Sequence, residues 1–329
     1  MTFDASTSAP VDLDPRLPDR EGASVAELSE QAVWRARYRH EISEIRAYAP
    51  APSPKVTVIV VSYRPQEYLI ECLQQLRGQT ARGKIDYEVL LADSGGLEHL
   101  RDRTGSLCDV ELRLRDGISL NAARNTAMAW ARGELVAIVD DDGLVAPTFV
   151  EVICKTFEDR AIGAIRGRIV AKDHPYFCTL APHYDRGDRI IDDVLSTEGH
   201  MAIRRSLYLA TGGFPDDFYG HEGMLLAYRI RERFPDQRVV YVPELVMRHD
   251  YVETWTKFLR KSTKIHNAKD QLRQAVSPAE FERFMRSIRA GYPSVPLPWD
   301  RRLAKGALDV MRWALVHAPS WALRRSNGG

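Results

Sequence analysis

The chain has 329 residues, 44% of them hydrophobic and 28% charged, with 46 Lys+Arg against 45 Asp+Glu for a formal charge of +1. This is the profile of a soluble globular protein of at most two domains, and it excludes disorder, collagen or coiled coil over the whole chain. Near-zero net charge leaves no global field to recruit nucleic acid, so no nucleic-acid partner is expected and any polyanion contact has to be local. Cys72, Cys108, Cys154 and Cys178 stand far apart with no Cys-x-x-Cys pair, which fits a reducing cytosol better than a disulfide or zinc framework. The N-terminus lacks the basic and apolar regions of a signal peptide, and no run of about 18 apolar residues occurs, so the expected location is cytoplasmic.

Residues 1–22, rich in Asp, Pro, Ser and Thr, bury too little apolar surface to offset chain entropy and read as a flexible leader. The spacing of Val25, Leu28, Ala32, Val33, Ala36, Tyr38, Ile42 and Ile45 predicts a helix from Ser24 to about Tyr48. Pro50, Pro52 and Pro54 end it, so residues 23–54 are a helix and linker and the core domain begins at about Lys55. Val56 to Val61 is a β-branched run suited to a strand buried on both faces. A helix from Glu67 to Arg77, strands from Tyr87 to Ala92 and Val110 to Leu114, a helix from Asn121 to Arg132 and a strand from Leu135 to Val139 follow. Phe149 to Phe157 reads as helix and Ala164 to Val170 as strand, whereas Asp173 to Asp193 is polar and irregular and is expected to shape an acceptor pocket. Regular structure resumes with Met201 to Leu209, a Gly212-Gly-Phe214 turn, a helix from Glu222 to Phe234 and a strand from Arg238 to Val242. Trp255 to about Arg289 is helical and basic, and Gly291 to Pro298 is a linker because its three prolines cannot continue a helix. The alternation predicts an α/β fold, a Rossmann-like mixed, mainly parallel sheet flanked by helices, with helical N- and C-terminal extensions. Ligands of such sheets bind beyond the carboxyl ends of the strands, where Ser62, Tyr63, Asp93 and Asp140 to Asp142 fall.

The sharpest chemical signal is the run Asp140-Asp141-Asp142 at the end of an apolar strand. Carboxylates at i and i+2 of an extended segment point the same way, so Asp140 and Asp142 are expected to face one divalent cation while Asp141 turns aside. Hard oxygen donors favour Mg2+ or Mn2+ over zinc, a DXD-type site for a diphosphate. The plainer reading is a solvated acidic loop.

With these elements the sequence resembles the family 2 nucleotide-sugar glycosyltransferases of the GT-A fold. The matching pieces are Val58-Ile-Val-Val-Ser-Tyr63, Glu88-Val-Leu-Leu-Ala-Asp93-Ser-Gly95, Ala123-Arg-Asn125, Ala131-Arg-Gly-Glu134 and Val139-Asp-Asp-Asp142. Downstream come Gly212-Gly-Phe214, Gly220-His-Glu-Gly223, Arg229 and the stretch from Tyr241 to His249, so the resemblance covers about residues 55–265. It implies a nucleotide-sugar-binding half over residues 55–160, an acceptor and catalytic half of the same domain over 161–265, and a helical extension over 266–329. Val61, Ser62, Tyr63 and Asp93 would hold the nucleoside, with Tyr63 on the base and Asp93 accepting from it; uracil is the first expectation, although Ser94 replaces a frequent second acid or amide. Arg124 would engage phosphate or ribose oxygens, Asp141 the ribose or sugar, and Asp140, Asp142 and His249 the metal.

An inverting transfer needs one carboxylate to take the acceptor proton. Much of the family carries Glu-Asp at this helix start with the Asp as base; here the pair is Glu222-Gly223, which leaves Glu222 as base with His221 as orienting partner, or His221 itself. The Gln-x-x-Arg-Trp motif and membrane helices of processive family members are missing, so a single transfer is expected, to a hydroxyl or amine of a small molecule, glycan or carrier-linked acceptor. Trp255, Lys257, Phe258, Arg260, Lys261 and Lys264 form a basic aromatic patch suited to a phosphate-bearing acceptor, or simply a half-buried helix. The basic, amphipathic stretch from Arg301 to Gly329 is open between its own domain, a second subunit as in a homodimer, and the periphery of the inner face of a membrane. Alternative readings of the whole are a sugar nucleotidyltransferase, whose glycine- and lysine-rich phosphate loop is not seen, and an impaired glycosyltransferase-like binding protein, which Gly223 keeps open.

Overall fold

The computed structural model describes residues 24–63, 66–293 and 297–317. The expected leader, part of the linker before Pro298, and Trp321, Arg324 and Arg325 lie outside the described residues. Among the described residues one ten-stranded sheet organises the chain: β1 (Ile42–Ala47), β2 (Val56–Ser62), β3 (Tyr87–Asp93), β4 (Val110–Leu114), β5 (Leu135–Asp140), β6 (Leu144–Val145), β7 (Ile162–Val170), β8 (Ile191–Asp192), β9 (His200–Arg204) and β10 (Arg238–Arg248). Their order is β1-β4-β3-β2-β5-β9-β7-β10-β6, with β8 beside β10. The block β4-β3-β2-β5 is parallel, β7 and β10 are parallel, and β9 runs antiparallel between the two groups. This is the mixed, mainly parallel sheet flanked by helices that the sequence leads one to expect of a GT-A type fold.

The β-branched runs explain its centre. All seven residues of β2 and of β3 are buried. Val58 and Val60 enter one core with Leu69, Leu73 and Phe149, while Ile59 and Val61 enter the other with Trp34, Ala123 and Ile203. A strand apolar on both sides is stable only when helices cover both faces, which forces a three-layer arrangement. The register pairs Ser62 with Asp93 and Val61 with Asp140, so three polar strand ends emerge at one level.

Motif residues that carry no chemistry turn out to lock this frame. Arg132 pairs with Glu88 in the core and donates to Ala51 O at 2.8 Å, and Thr57 Oγ1 donates to Glu88 at 2.7 Å. Asn125 donates to Phe214 O and to Asp216 at 2.7 Å each and accepts from Tyr208 at 2.6 Å, which ties the helix Leu120–Trp130 to the Gly212-Gly213-Phe214 turn. A Cβ on Gly213 would lie 2.8 Å from Asn125 Oδ1, and its φ of +62° is left-handed, so glycine is required there.

Several expectations are corrected. The first helix spans Val25–Tyr38, started by a Ser24 and Glu27 capping box, and it does not reach Tyr48. Residues 42–47 instead form β1, antiparallel to β4. A bulge between Ile42 and Glu44 turns both Ile42 and Ile45 inward, so the strand mimics helical spacing. β10 does not stop at Val242 as expected but continues for 11 residues through Pro243, with a register shift between Val242 and Val246. Proline is tolerated in a strand at such a bulge because no ladder donor is needed there. Met201 to Leu209 divides into β9 and a helix at Arg205–Thr211. The irregular middle segment contains a helix at Pro175–Thr179 and β8. The basic C-terminal part is divided into helices Trp255–Asn267, Lys269–Ala275, Pro278–Arg289 and Trp299–His317. Of the last, Ala304 and Leu308 pack on the core, so this helix meets its own domain.

Candidate active site

A cavity of about 650 Å³ opens beyond the carboxyl ends of the central strands. Its wall brings together Arg124, Asp140, His221, Glu222 and His249 from the expected set, together with Glu198, Tyr184 and Lys261. Val61, Ser62, Tyr63, Asp93, Asp141 and Asp142 lie outside its lining. Tyr63 is half exposed at the end of β2. Asp93 is fully buried; one carboxyl oxygen accepts from Gly95 N at 2.9 Å, and burial pushes the group above its ordinary value.

The aspartate run behaves as a divided unit. β5 ends at Asp140, and Asp141 and Asp142 occupy a turn closed by Gly143 N donating to Asp140 O at 3.0 Å. Extended alternation therefore does not align Asp140 with Asp142; the turn does. Asp141 is drawn aside, accepting from Ser62 Oγ at 2.8 Å. Its burial, reinforced by the neighbouring carboxylates, pushes its pKa up to about 7. Asp140, Asp142 and His249 offer ligand atoms within 4.8 Å of one another. His249 Nε2 lies 3.2 Å from Asp142, and Tyr184 Oη contacts Nδ1 at 3.3 Å, which orients the ring. Burial opposes both charges, yet the contact holds the Asp142 carboxyl below its ordinary value and lifts the imidazole above its own. Two carboxylates and one imidazole fit a divalent cation.

The other side of the cavity is built at the N-terminus of the helix Glu222–Arg233. Glu222 is buried, and its Oε1 lies 3.5 Å from Arg124 Nη1, whose second amino nitrogen is 3.4 Å from Asp140. One guanidinium thus links the cation cluster to the candidate base. Glu222 Oε2 is buried with no hydrogen-bond partner. Burial, and then the Glu198 carboxylate, push the Glu222 pKa well up, against the pull of Arg124. His221 precedes the helix in a left-handed conformation, φ +70°, the one non-glycine residue with positive φ among the described residues. Such strain at a site edge fixes the direction of a side chain.

Glu198 is the residue that sequence reasoning misses. It accepts from Gly223 N at 3.0 Å, which satisfies one of the orphan donors at the helix start. A Cβ at 223 would fall 1.9 Å from Leu195 O and 2.8 Å from Glu198 Oε1. Gly223 is thus required by the backbone of the segment before β9, which explains why no acid follows Glu222. Gly199 is equally constrained, since a Cβ there would lie 1.9 Å from the Asp140 carboxylate. The signal for Glu198 in the sequence is only an acid beside a glycine, and the contact spans 25 positions.

Comparison with known proteins gives this geometry a context. Residues 57–216 match the family model described as glycosyl transferase family 2. The putative glycosyltransferase EpsH of Bacillus subtilis (strain 168) is 27% identical over 111 residues, 32% of this chain and 31% of that protein. Glucosyl-dolichyl phosphate glucuronosyltransferase of Haloferax volcanii is 25% identical over 228 residues, 62% of this chain and 72% of that protein. The match to EpsH, like that to glycosyltransferase GlyG of Streptococcus pneumoniae at 39%, spans little more than a third of the relative's length or less. A solved mannosyltransferase of Pyrobaculum calidifontis, in complex with GDP-Man and Mn2+, has 20% identity and a TM-score of 0.48 over 87% of this chain and 89% of that one.

Proposed function

We propose, from the likeness of residues 57–216 to glycosyl transferase family 2, that the chain is a metal-dependent, inverting glycosyltransferase. It moves a single sugar from a nucleoside diphosphate sugar, a UDP-sugar by preference, to an acceptor hydroxyl or amine. The observation that carries this reading is the Arg124 bridge, which joins Asp140 of the Asp140, Asp142 and His249 cluster to the buried Glu222, with Arg124, Asp140, Glu222 and His249 lining one cavity. Asp140, Asp142 and His249 would hold a Mn2+ or Mg2+ ion, which would supply charge neutralisation to the diphosphate. Arg124 orients phosphate oxygens and limits the repulsion between Asp140 and Glu222. Ser62 keeps Asp141 turned toward the sugar or ribose side of the nucleotide.

Glu222 takes the proton of the acceptor group as its oxygen or nitrogen bonds to the anomeric carbon. The bond from that carbon to the diphosphate oxygen breaks on the opposite face, and the diphosphate leaves with the electron pair. A raised carboxyl pKa brings the base closer to the operating pH and makes it a more effective acceptor of that proton. His221 orients Glu222 or the acceptor. Because Glu222 supplies a carboxylate where Gly223 cannot, the missing acid does not favour an impaired protein.

The test is Glu222→Gln. Transfer is expected to fall by at least about 100-fold while manganese-dependent nucleotide binding stays within about twofold. Undiminished turnover in the variant would remove Glu222 from the role of base.

A further inference from the structure

The helix Trp299–His317 has two faces with different surroundings. Inward, Ala304 and Leu308 pack on the core, and Lys305, Leu308 and Asp309 line the cavity. Outward, Trp299 is 76% exposed, Leu303 66%, Val310 66% and Trp313 63%. These positions follow one another at intervals of four, seven and three, which is one continuous stripe on an α-helix, with Gly306 lying on it. A large apolar stripe left in water marks a contact surface, and tryptophan is the residue that concentrates at membrane interfaces.

Charge identifies the partner. From residue 299 to the end the sequence has six basic residues, Arg301, Arg302, Lys305, Arg312, Arg324 and Arg325, against Asp300 and Asp309; Arg301 pairs with Asp300 and lies over the Tyr176 ring, and Lys305 pairs with Asp309, so the excess rests on the other four. On the neighbouring helix Trp255–Asn267, Trp255 is 44% exposed. Among the described residues Arg302 has no acidic partner and bonds only Leu297 O, at 2.8 Å. A second copy of the chain would set this basic excess against itself, whereas anionic headgroups neutralise it. No helix of the described residues is long and apolar enough to cross a membrane.

We propose that this helix lies in the plane of an anionic lipid surface, with Trp299, Leu303 and Val310 seated at the boundary of headgroups and acyl chains. Because its inner face walls the cavity, docking places that cavity one helix diameter, roughly 10 Å, from the lipid surface. If the transfer reading above is right, and only this clause rests on it, the acceptor is linked to a lipid of that surface.

The test uses the full chain and sedimentation with vesicles of phosphatidylcholine alone or mixed with about equal phosphatidylglycerol. Binding to the mixed vesicles is expected to exceed binding to the neutral ones by at least about tenfold, and W299S/L303S/V310S to lose about tenfold or more. W299S alone, at the exposed helix start, gives a smaller loss in the same direction. Equal partition to both vesicle types, full binding by the triple variant, or a dimer in light scattering that the same substitutions split would overturn the proposal. Manganese-dependent nucleotide binding is read in parallel and is expected to be unchanged by the substitutions. If the unsubstituted chain binds no nucleotide, the transfer reading fails while the vesicle result still decides the docking.

Discussion

At the scale of single residues, the chemistry turns on how few cations serve how many carboxylates. Arg124 contacts both Asp140 and Glu222, while Glu198 adds a third acid to the same neighbourhood. Glu222 is therefore held protonated to higher pH than an ordinary glutamate, first by burial and then by Glu198. Two consequences of opposite sign follow. Transfer, which needs the carboxylate, is expected to rise with pH above the ordinary glutamate range. Stability from this group is complete below the unfolded value near 4.5 and is lost as pH rises through the folded value. Urea unfolding across pH checks the second point, and Glu222→Gln should flatten that dependence. Glu222 became a candidate through the family resemblance, which implies an acidic pair at this helix start where the chain has Glu222-Gly223. Glu198 was not legible, because its contact to Gly223 depends on how the segment before β9 meets a distant helix.

Elements determine whether those residues meet. The strand ends were legible because β2, β3 and β5 are uninterrupted apolar runs that stop at Ser62, Asp93 and Asp140. The juxtaposition of Asp140 and Asp142 was expected for the wrong geometric reason, since a turn rather than strand alternation produces it. Bulges account for the other departures: one lets β1 imitate a helical pattern, and one carries β10 past Pro243 to deliver His249 beside Asp142. The approach of β9 to β5 gives a sharp prediction. Gly199→Ala places a methyl 1.9 Å from the Asp140 carboxylate, so the carboxylate must move. The variant should keep its far-ultraviolet circular dichroism yet bind nucleotide at least about tenfold more weakly in manganese, a loss of about 1.4 kcal/mol. Unchanged affinity would mean that Asp140 does not contribute to the cluster.

Over the whole molecule, the N-terminal extension is part of the catalytic frame. Trp34, Tyr38, Ile42 and Ile45 are buried in the second core. Gln31 donates to Ala129 O and Ala131 O at 3.1 and 3.0 Å, and Tyr38 reaches Asp216 at 2.9 Å. Four such apolar side chains contribute about 1.5–3 kcal/mol each, a sum comparable with the whole stability of a typical domain. Removal of residues 1–49 also exposes β4 as an open edge, so the shortened chain should fail to give soluble, cooperatively melting protein. A cooperative melt near that of the full chain would contradict this. The extension's helix was visible in the sequence, but its role in closing the sheet was not, because edge pairing is a long-range choice.

All three scales converge on the carboxyl ends of the strands, where the acidic cluster is expected to hold a nucleotide through a divalent cation. The most direct measurement is calorimetric titration of UDP, GDP and dTDP into the full chain and into Asp142→Ala, with and without manganese. One nucleotide should bind at least about tenfold more tightly when manganese is present, and Asp142→Ala should lose that gain. Binding of none of the three, or equal binding with and without manganese in both proteins, would contradict the assignment of Asp140, Asp142 and His249 and the transfer reaction built on it.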